Sequence, residues 1–347
     1  MIRRLADAGG VTSLNALAAG QIQPASLDLR LGDCAWRVRA SFLPGAGVPV
    51  EDKLRRYALH RIDLTAGAVL EVGCVYVAPL MEGLALPGAL CASANPKSST
   101  GRLDVFTRVI ADGASSFDQA PAGYRGPLYL EICPQTFPIL VRAGSRLAQI
   151  RFRRGEAAAS DQALADLHRT ERLVSGQADI AGGLALSADL SGGASGVVGY
   201  RAKRHTGVVD VDAVGACAVD DYWEPIAARD RRLILDPDEF YILASREAVH
   251  VPPTHAAEMT PFNPLVGEFR VHYAGFFDPG FGHAGAGGEG ARAVLEVRSH
   301  KVPFLLEDGQ IVGRLVYERL VEPPETLYGA SGSHYQAQGL KLSKHFR

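Results

Sequence analysis

The chain has 347 residues, 47% of them apolar and 21% charged, with a formal net charge of -2 at pH 7. That length exceeds one ordinary core and suits two, and the composition is that of a folded protein rather than a disordered one. A near-neutral balance excludes the global basic field that holds nucleic acid non-specifically, so any polyanion must meet a local cluster.

In chain order, residues 2–8 and 11–19 read as short helices. The first ten residues carry Arg3, Arg4 and Asp7 and no apolar run, unlike a secretory leader. The alternation Leu27-Asp28-Leu29-Arg30-Leu31 predicts a strand. Residues 68–94 are the most apolar stretch, but Glu71, Pro79, Glu82 and Pro87 interrupt them. They cannot form the roughly 20-residue apolar helix that crosses a bilayer and read as short buried strands. Residues 128–132 and 137–141 are further strands. Residues 156–172 are the clearest helix, inside a helical and Gly/Ser-rich stretch, 155–200, that reads as a join. Residues 294–297 and 311–317 return to strand. Gly (38) and Pro (20) punctuate the chain throughout, the pattern of an all-β protein with a few short helices.

The chain also repeats itself. Residues 127–154 align with 292–319 without a gap: Leu130-Glu131 falls on Leu295-Glu296, Pro138 on Pro303, Leu140 on Leu305 and Gly144 on Gly309. Upstream, Ser26-Leu27-Asp28-Leu29 is similar to Val208-Val209-Asp210-Val211. Two copies of one β-domain follow, 1–170 and 171–347, although 184–200 can already be strand of the second copy. The five cysteines form no C-x-x-C pair and the histidines show no metal-ligand spacing. No zinc site is expected, and reduced buried thiols point to the cytoplasm.

Lys97-Ser98-Ser99-Thr100-Gly101-Arg102 gathers hydroxyls, backbone N–H groups and two cations within one turn, a compact cradle for phosphate oxygens. This segment, residues 22–32, the paired Leu-Glu strands and the tail Tyr335-Gln336-Ala337-Gln338-Gly339 together resemble the dCTP deaminase branch of the dUTPase superfamily. The resemblance implies two tandem distorted dUTPase-like β-barrels and hydrolytic deamination of dCTP to dUTP and ammonia. It implies a triphosphate gripped by Ser98, Ser99 and Arg102, with Lys97 where the family usually has arginine, which keeps charge and loses the bidentate fork. Mg²⁺ would arrive on the triphosphate, and the tail, with Tyr335 and Gln338, would fold over it; His334 stands where the family often has lysine.

A buried glutamate can do the acid–base work of deamination without zinc. The resemblance implies one on a strand after an apolar residue, and Glu131 and Glu296 both match. The resemblance places a sugar-and-base hairpin before an Asp-x-Gly-aromatic turn, and the second copy keeps it: His272, Tyr273 and Ala274, then Asp278-Pro279-Gly280-Phe281. The first copy has an insertion through Pro121 there, whereas the second has lost the phosphate loop, reading Thr260-Pro261-Phe262-Asn263-Pro264-Leu265. Such complementary loss fits one composite site, with Glu296 as base and Glu131 as the alternative. The family assembles barrels in threes, so a homo-oligomer, a trimer of six barrels, is expected, with dCTP as partner and neither nucleic acid nor membrane. Two other functions compete. One is a dUTP pyrophosphatase or a bifunctional enzyme giving dUMP, supported by Gly123-Tyr124-Arg125-Gly126. The other is a nucleotide-binding regulator without turnover.

Overall fold

The computed structural model describes residues 1–13, 15–261, 269–271, 275–283, 290–299, 301–330 and 335–347. The protein is all-β with short helices, as expected, and the chain forms two compact units. Unit one comprises Met1–Glu156, Arg204–Cys217 and His345–Arg347; unit two comprises Ala157–Lys203 and Ala218–Lys344.

In unit one the main sheet runs Ala58–Asp63, Cys34–Val38, Val75–Ala85, Arg125–Pro134, Val105–Ala111, antiparallel throughout, with Val11–Ser13 also paired to Val75–Ala85. A second sheet runs Leu27–Leu29, Ala148–Arg154, Leu90–Pro96, Gln119–Ala120. The helix expected over 11–19 is not formed. Val11 and Thr12 pair instead with Leu84 and Gly83, as their β-branched side chains favour. Pro79 stays inside a long strand because the register shifts beside it, between Pro127 and Tyr129. Its carbonyl accepts from the Gly32 N–H at 2.8 Å, and a Cβ on Gly32 would lie 2.9 Å from that oxygen. Only glycine allows this approach.

Unit two repeats the plan. Ala291–Ser299 lies between Phe240–Val249 and Phe269–Val271, as Arg125–Pro134 lies between Val75–Ala85 and Val105–Ala111. Ile311–Arg319 lies between Leu184–Ser187 and His255–Pro261, as Ala148–Arg154 lies between Leu27–Leu29 and Leu90–Pro96. The partner of Leu27–Leu29 in the repeat is therefore Leu184–Ser187, not the Val208–Val211 segment read from the sequence. Val209–Asp210 belongs to unit one and runs parallel to Ile139–Val141. A few similar apolar residues around one aspartate misled that alignment, because strand position depends on partners rather than on local composition.

The units also divide earlier than residue 170. The helix Asp161–Glu171 has Ser160 as N-cap, its side chain accepting from the Ala163 N–H. Leu164 of this helix is buried in the core of unit two with Leu173, Leu186, Leu315 and Tyr317, and Ala159 N–H donates to Tyr317 O at 2.8 Å. The apolar stripe of the helix decides its membership.

Candidate functional site

In unit one, Lys97 leads from the strand Leu90–Pro96 into a single helical turn, Ser98–Gly101. Lys97 O accepts from the Thr100 and Gly101 N–H groups at 2.8 and 3.0 Å, and Ser98 O accepts from Arg102 N–H at 3.1 Å. The turn ends at Asp104, with φ 55°, whose carboxylate accepts from Thr136 Oγ1 at 2.5 Å. Ser99, Thr100 and Arg102 are buried. The expected phosphate-gripping residues Ser98, Ser99 and Arg102 thus share one tightly wound turn. Lys97 Nζ lies 2.5 Å from the buried Asp28 carboxylate, with Arg146 3.7 Å from its other oxygen. Its charge therefore balances Asp28.

Glu131 sits on the strand Arg125–Pro134, 1% exposed, opposite Arg108 of Val105–Ala111. Arg108 Nε and Nη2 both donate to Glu131 Oε1, at 2.9 and 2.5 Å, and Nη2 also donates to Ser41 Oγ at 2.7 Å. The guanidinium carbon stands 3.6 Å from the Phe117 ring centroid and 4.7 Å from that of Phe106. Glu131 Oε2 is buried without a hydrogen bond. Burial, then the charge of Glu131, raises the Cys133 thiol above its ordinary value. Arg108 was not singled out in the sequence: its role follows from cross-strand register, which a lone arginine in a β-rich run does not reveal.

In unit two, Glu296 lies buried on Ala291–Ser299, paired in register with Ile242. The neighbouring strand Phe269–Val271 is described up to Val271, opposite Val297. His272, Tyr273 and Ala274 lie outside the described residues. Asp278 is buried and begins a turn closed by the Phe281 N–H donating to Asp278 O at 3.0 Å. Proline at the second position and Gly280 at φ +96° at the third make this a type II turn. A Cβ on Gly280 would lie 2.8 Å from Leu327 Cβ and 2.9 Å from Tyr328 N.

The tail packs on this turn. Gln336 accepts from the Gly282 N–H at 3.2 Å and donates to Gly280 O at 3.0 Å. Gln338 donates to Arg292 O at 3.0 Å, and its own carbonyl accepts from the Arg292 N–H at the same distance. Tyr335 is buried, its hydroxyl accepting from the Lys344 N–H at 3.1 Å. Asp278, Tyr335 and Gln338 are thereby gathered into one part of unit two. Among the described residues, no group of three or more His, Cys, Asp or Glu could hold a metal ion, and no helix is long and apolar enough to cross a membrane.

The chain is a duplicated all-β protein with a Ser/Arg turn in one unit and a buried strand glutamate in each. Comparison with known proteins gives its family. Residues 1–156 match the family model of the 2′-deoxycytidine 5′-triphosphate deaminase N-terminal domain, and residues 160–346 that of its C-terminal domain. The chain belongs to the 2′-deoxycytidine 5′-triphosphate deaminase family. A solved structure of 2′-deoxycytidine 5′-triphosphate deaminase from Agrobacterium tumefaciens is 65% identical, covering 93% of this chain and 97% of that one, with a TM-score of 0.90. The dCTP deaminase of Haloarcula marismortui is 30% identical over 134 residues, 38% of this chain and 66% of its own length. A "dCTP deaminase, dUMP-forming" of Beutenbergia cavernae is 34% identical over 115 residues, 31% of this chain and 55% of its own length. The chain thus spans about half to two thirds of these curated relatives.

Proposed function

We propose that this protein deaminates dCTP by hydrolysis, giving dUTP and ammonia, with Glu296 as the proton-transfer group. The observation that carries the reading is the 65% identity, over nearly the whole of both chains, to a solved 2′-deoxycytidine 5′-triphosphate deaminase. In this reaction water adds to C4 of the base. Glu296 takes one water proton as the hydroxide adds across C4=N3 and returns it to the exocyclic nitrogen; the C4–N4 bond breaks to release ammonia, and the hydroxyl proton passes to N3, leaving the C4 carbonyl of dUTP. A buried strand carboxylate suits this shuttle, since bulk water is held away from it. Glu131, whose Oε1 accepts from Arg108 Nε and Nη2, is the alternative.

Ser98, Ser99 and Arg102 bind the triphosphate in this reading, and Asp278 accepts from the sugar hydroxyl. His272, Tyr273 and Ala274 of the hairpin, and Tyr335 and Gln338 of the tail, complete the nucleotide contacts. Mg²⁺ would arrive with the triphosphate held by Ser98, Ser99 and Arg102 and would supply neutralising charge to it. Each unit is read as a distorted dUTPase-like barrel and the chain as a cytoplasmic homo-oligomer. A second reading, further hydrolysis to dUMP, is favoured by relatives named as dUMP-forming.

Incubation with dCTP and Mg²⁺, resolving dUTP, dUMP, ammonia and pyrophosphate, tests these assignments. Wild type is expected to release ammonia, and Glu296→Gln to lose at least about 100-fold in rate, the scale of a missing acid–base group. Loss in Glu131→Gln alone would move the chemistry to unit one. Pyrophosphate alongside ammonia would identify the dUMP-forming reaction, and pyrophosphate from dUTP without ammonia from dCTP would sink the deaminase reading.

A further inference from the structure

The glutamate niche of unit one is already filled, and its occupant has the shape of a base. Cytosine presents an N3–C4–N4 unit, an amidine: a planar N–C–N group that a carboxylate grips through N–H donors once it is protonated. A guanidinium has the same planar N–C–N unit, permanently charged. Arg108 sets its guanidinium carbon over the Phe117 ring, 3.6 Å from the centroid, and turns its Nε and Nη2 edge onto Glu131 Oε1. Ser41 takes a further N–H, and Phe106 borders the group. Carboxylate, stacking ring and hydroxyl form a complete reception for a planar cation.

We propose that the Glu131 niche is an amidinium-binding site occupied by the chain's own Arg108, which takes the place a nucleobase would hold and retires unit one from base binding. The likeness to a base rests on the deaminase reading; the amidinium site does not. The arginine is tethered to the adjacent strand, so both donors reach the same carboxylate oxygen and Oε2 is left buried without a hydrogen bond. An untethered amidinium is free of that limit and can span both oxygens. The niche therefore keeps capacity for such a ligand once the arginine is removed.

The test uses the full chain and thermal unfolding. Arg108→Ala is expected to unfold at a lower temperature than wild type. Acetamidinium chloride at about 10 mM is expected to recover a few degrees of that loss, as a ligand selective for the folded state must, while sodium chloride at equal ionic strength recovers none. Neither wild type, where the niche is filled, nor Arg108→Ala/Glu131→Gln, where its charge is gone, is expected to gain from acetamidinium. Equal melting of Arg108→Ala in the two salts, or an equal acetamidinium gain in all three proteins, would overturn the proposal. If Arg108→Ala does not fold, Arg108→Gln, a shorter planar donor, is put through the same comparison with the same deciding outcomes. The readout needs no turnover, so absence of ammonia from dCTP would refute the deaminase reading and leave this result standing.

Discussion

Lys97 shows how a residue of suitable charge can already be committed. Its ammonium meets Asp28 at 2.5 Å, and Asp28 is 2% exposed. Removing one partner of such a pair leaves a buried charge without adequate compensation. Lys97→Met is expected to destabilise the protein by about 3 kcal/mol in urea unfolding, with Arg146 at 3.7 Å recovering only part of the loss. Lys97→Gln/Asp28→Asn, which removes both charges, is expected to be more stable than Lys97→Met. Gly280 carries a different constraint at the same scale. Its φ of +96° and the close approach of Leu327 and Tyr328 leave no room for a Cβ. Gly280→Ala is expected to cost about 1–3 kcal/mol of stability and, by displacing the turn that begins at Asp278, to raise KM for dCTP more than it lowers kcat.

Among elements, a pair of histidines joins three parts of unit two. His250, at the end of the strand Phe240–Val249, has Nδ1 3.0 Å from Glu171 O, at the end of the helix Asp161–Glu171. His250 Nε2 is 2.8 Å from Nδ1 of His283, just beyond the Asp278 turn, and the two rings stack at 4.7 Å. An Nδ1–H on His250 donates to the Glu171 carbonyl, leaving Nε2 to accept from His283. Burial first, with the neighbouring His283 adding to it, holds His250 below the ordinary histidine value; its Glu171 contacts oppose this. Burial and then Arg319 lower His255 likewise. The unfolded chain therefore takes up these protons before the folded one, and the stability they contribute is present above about pH 6.5 and falls as pH drops from there toward the depressed folded values. Urea unfolding is expected to show stability declining as pH falls below about 7. Replacing His250 by Gln, a neutral donor and acceptor, is expected to flatten that decline.

Across the whole molecule, unit one is completed by segments distant in sequence. Val209–Asp210 lies alongside Ile139–Val141, and Arg142 donates to the two Asp210 oxygens at 2.7 and 2.9 Å. Ser145 Oγ donates to Asp212 at 2.6 Å, and Phe346 meets Phe137 edge-on with centroids 6.1 Å apart. His345 Nε2 lies 3.0 Å from Val211 O. A fragment ending at Glu156 has none of these. It is expected to unfold at markedly lower urea concentration than the corresponding transition of the full chain, with an unpaired edge at Ile139–Val141 that promotes association. Adding a peptide of residues 204–217 is expected to restore part of the lost stability.

The sequence by itself determined the β-rich class, the doubling, the family, and the grouping of Ser98, Ser99 and Arg102 on one turn, because each is written in local pattern: alternation, a gap-free repeat, and Ser-Ser-x-x-Arg within one turn. It also offered two glutamates without distinguishing them by their own neighbours, since Leu130-Glu131 and Leu295-Glu296 are the same dipeptide. Tertiary structure decided what no local pattern carries. Arg108 reaches Glu131 across 23 residues of sequence, Lys97 reaches Asp28 across a sheet, the helix Asp161–Glu171 packs with unit two through Leu164, and Val209–Asp210 joins unit one rather than repeating Leu27–Leu29. Each depends on which strands become neighbours. That choice is made by burying whole apolar faces, so the polar partners it brings together are a consequence of the pairing and are not encoded beside the residues they serve.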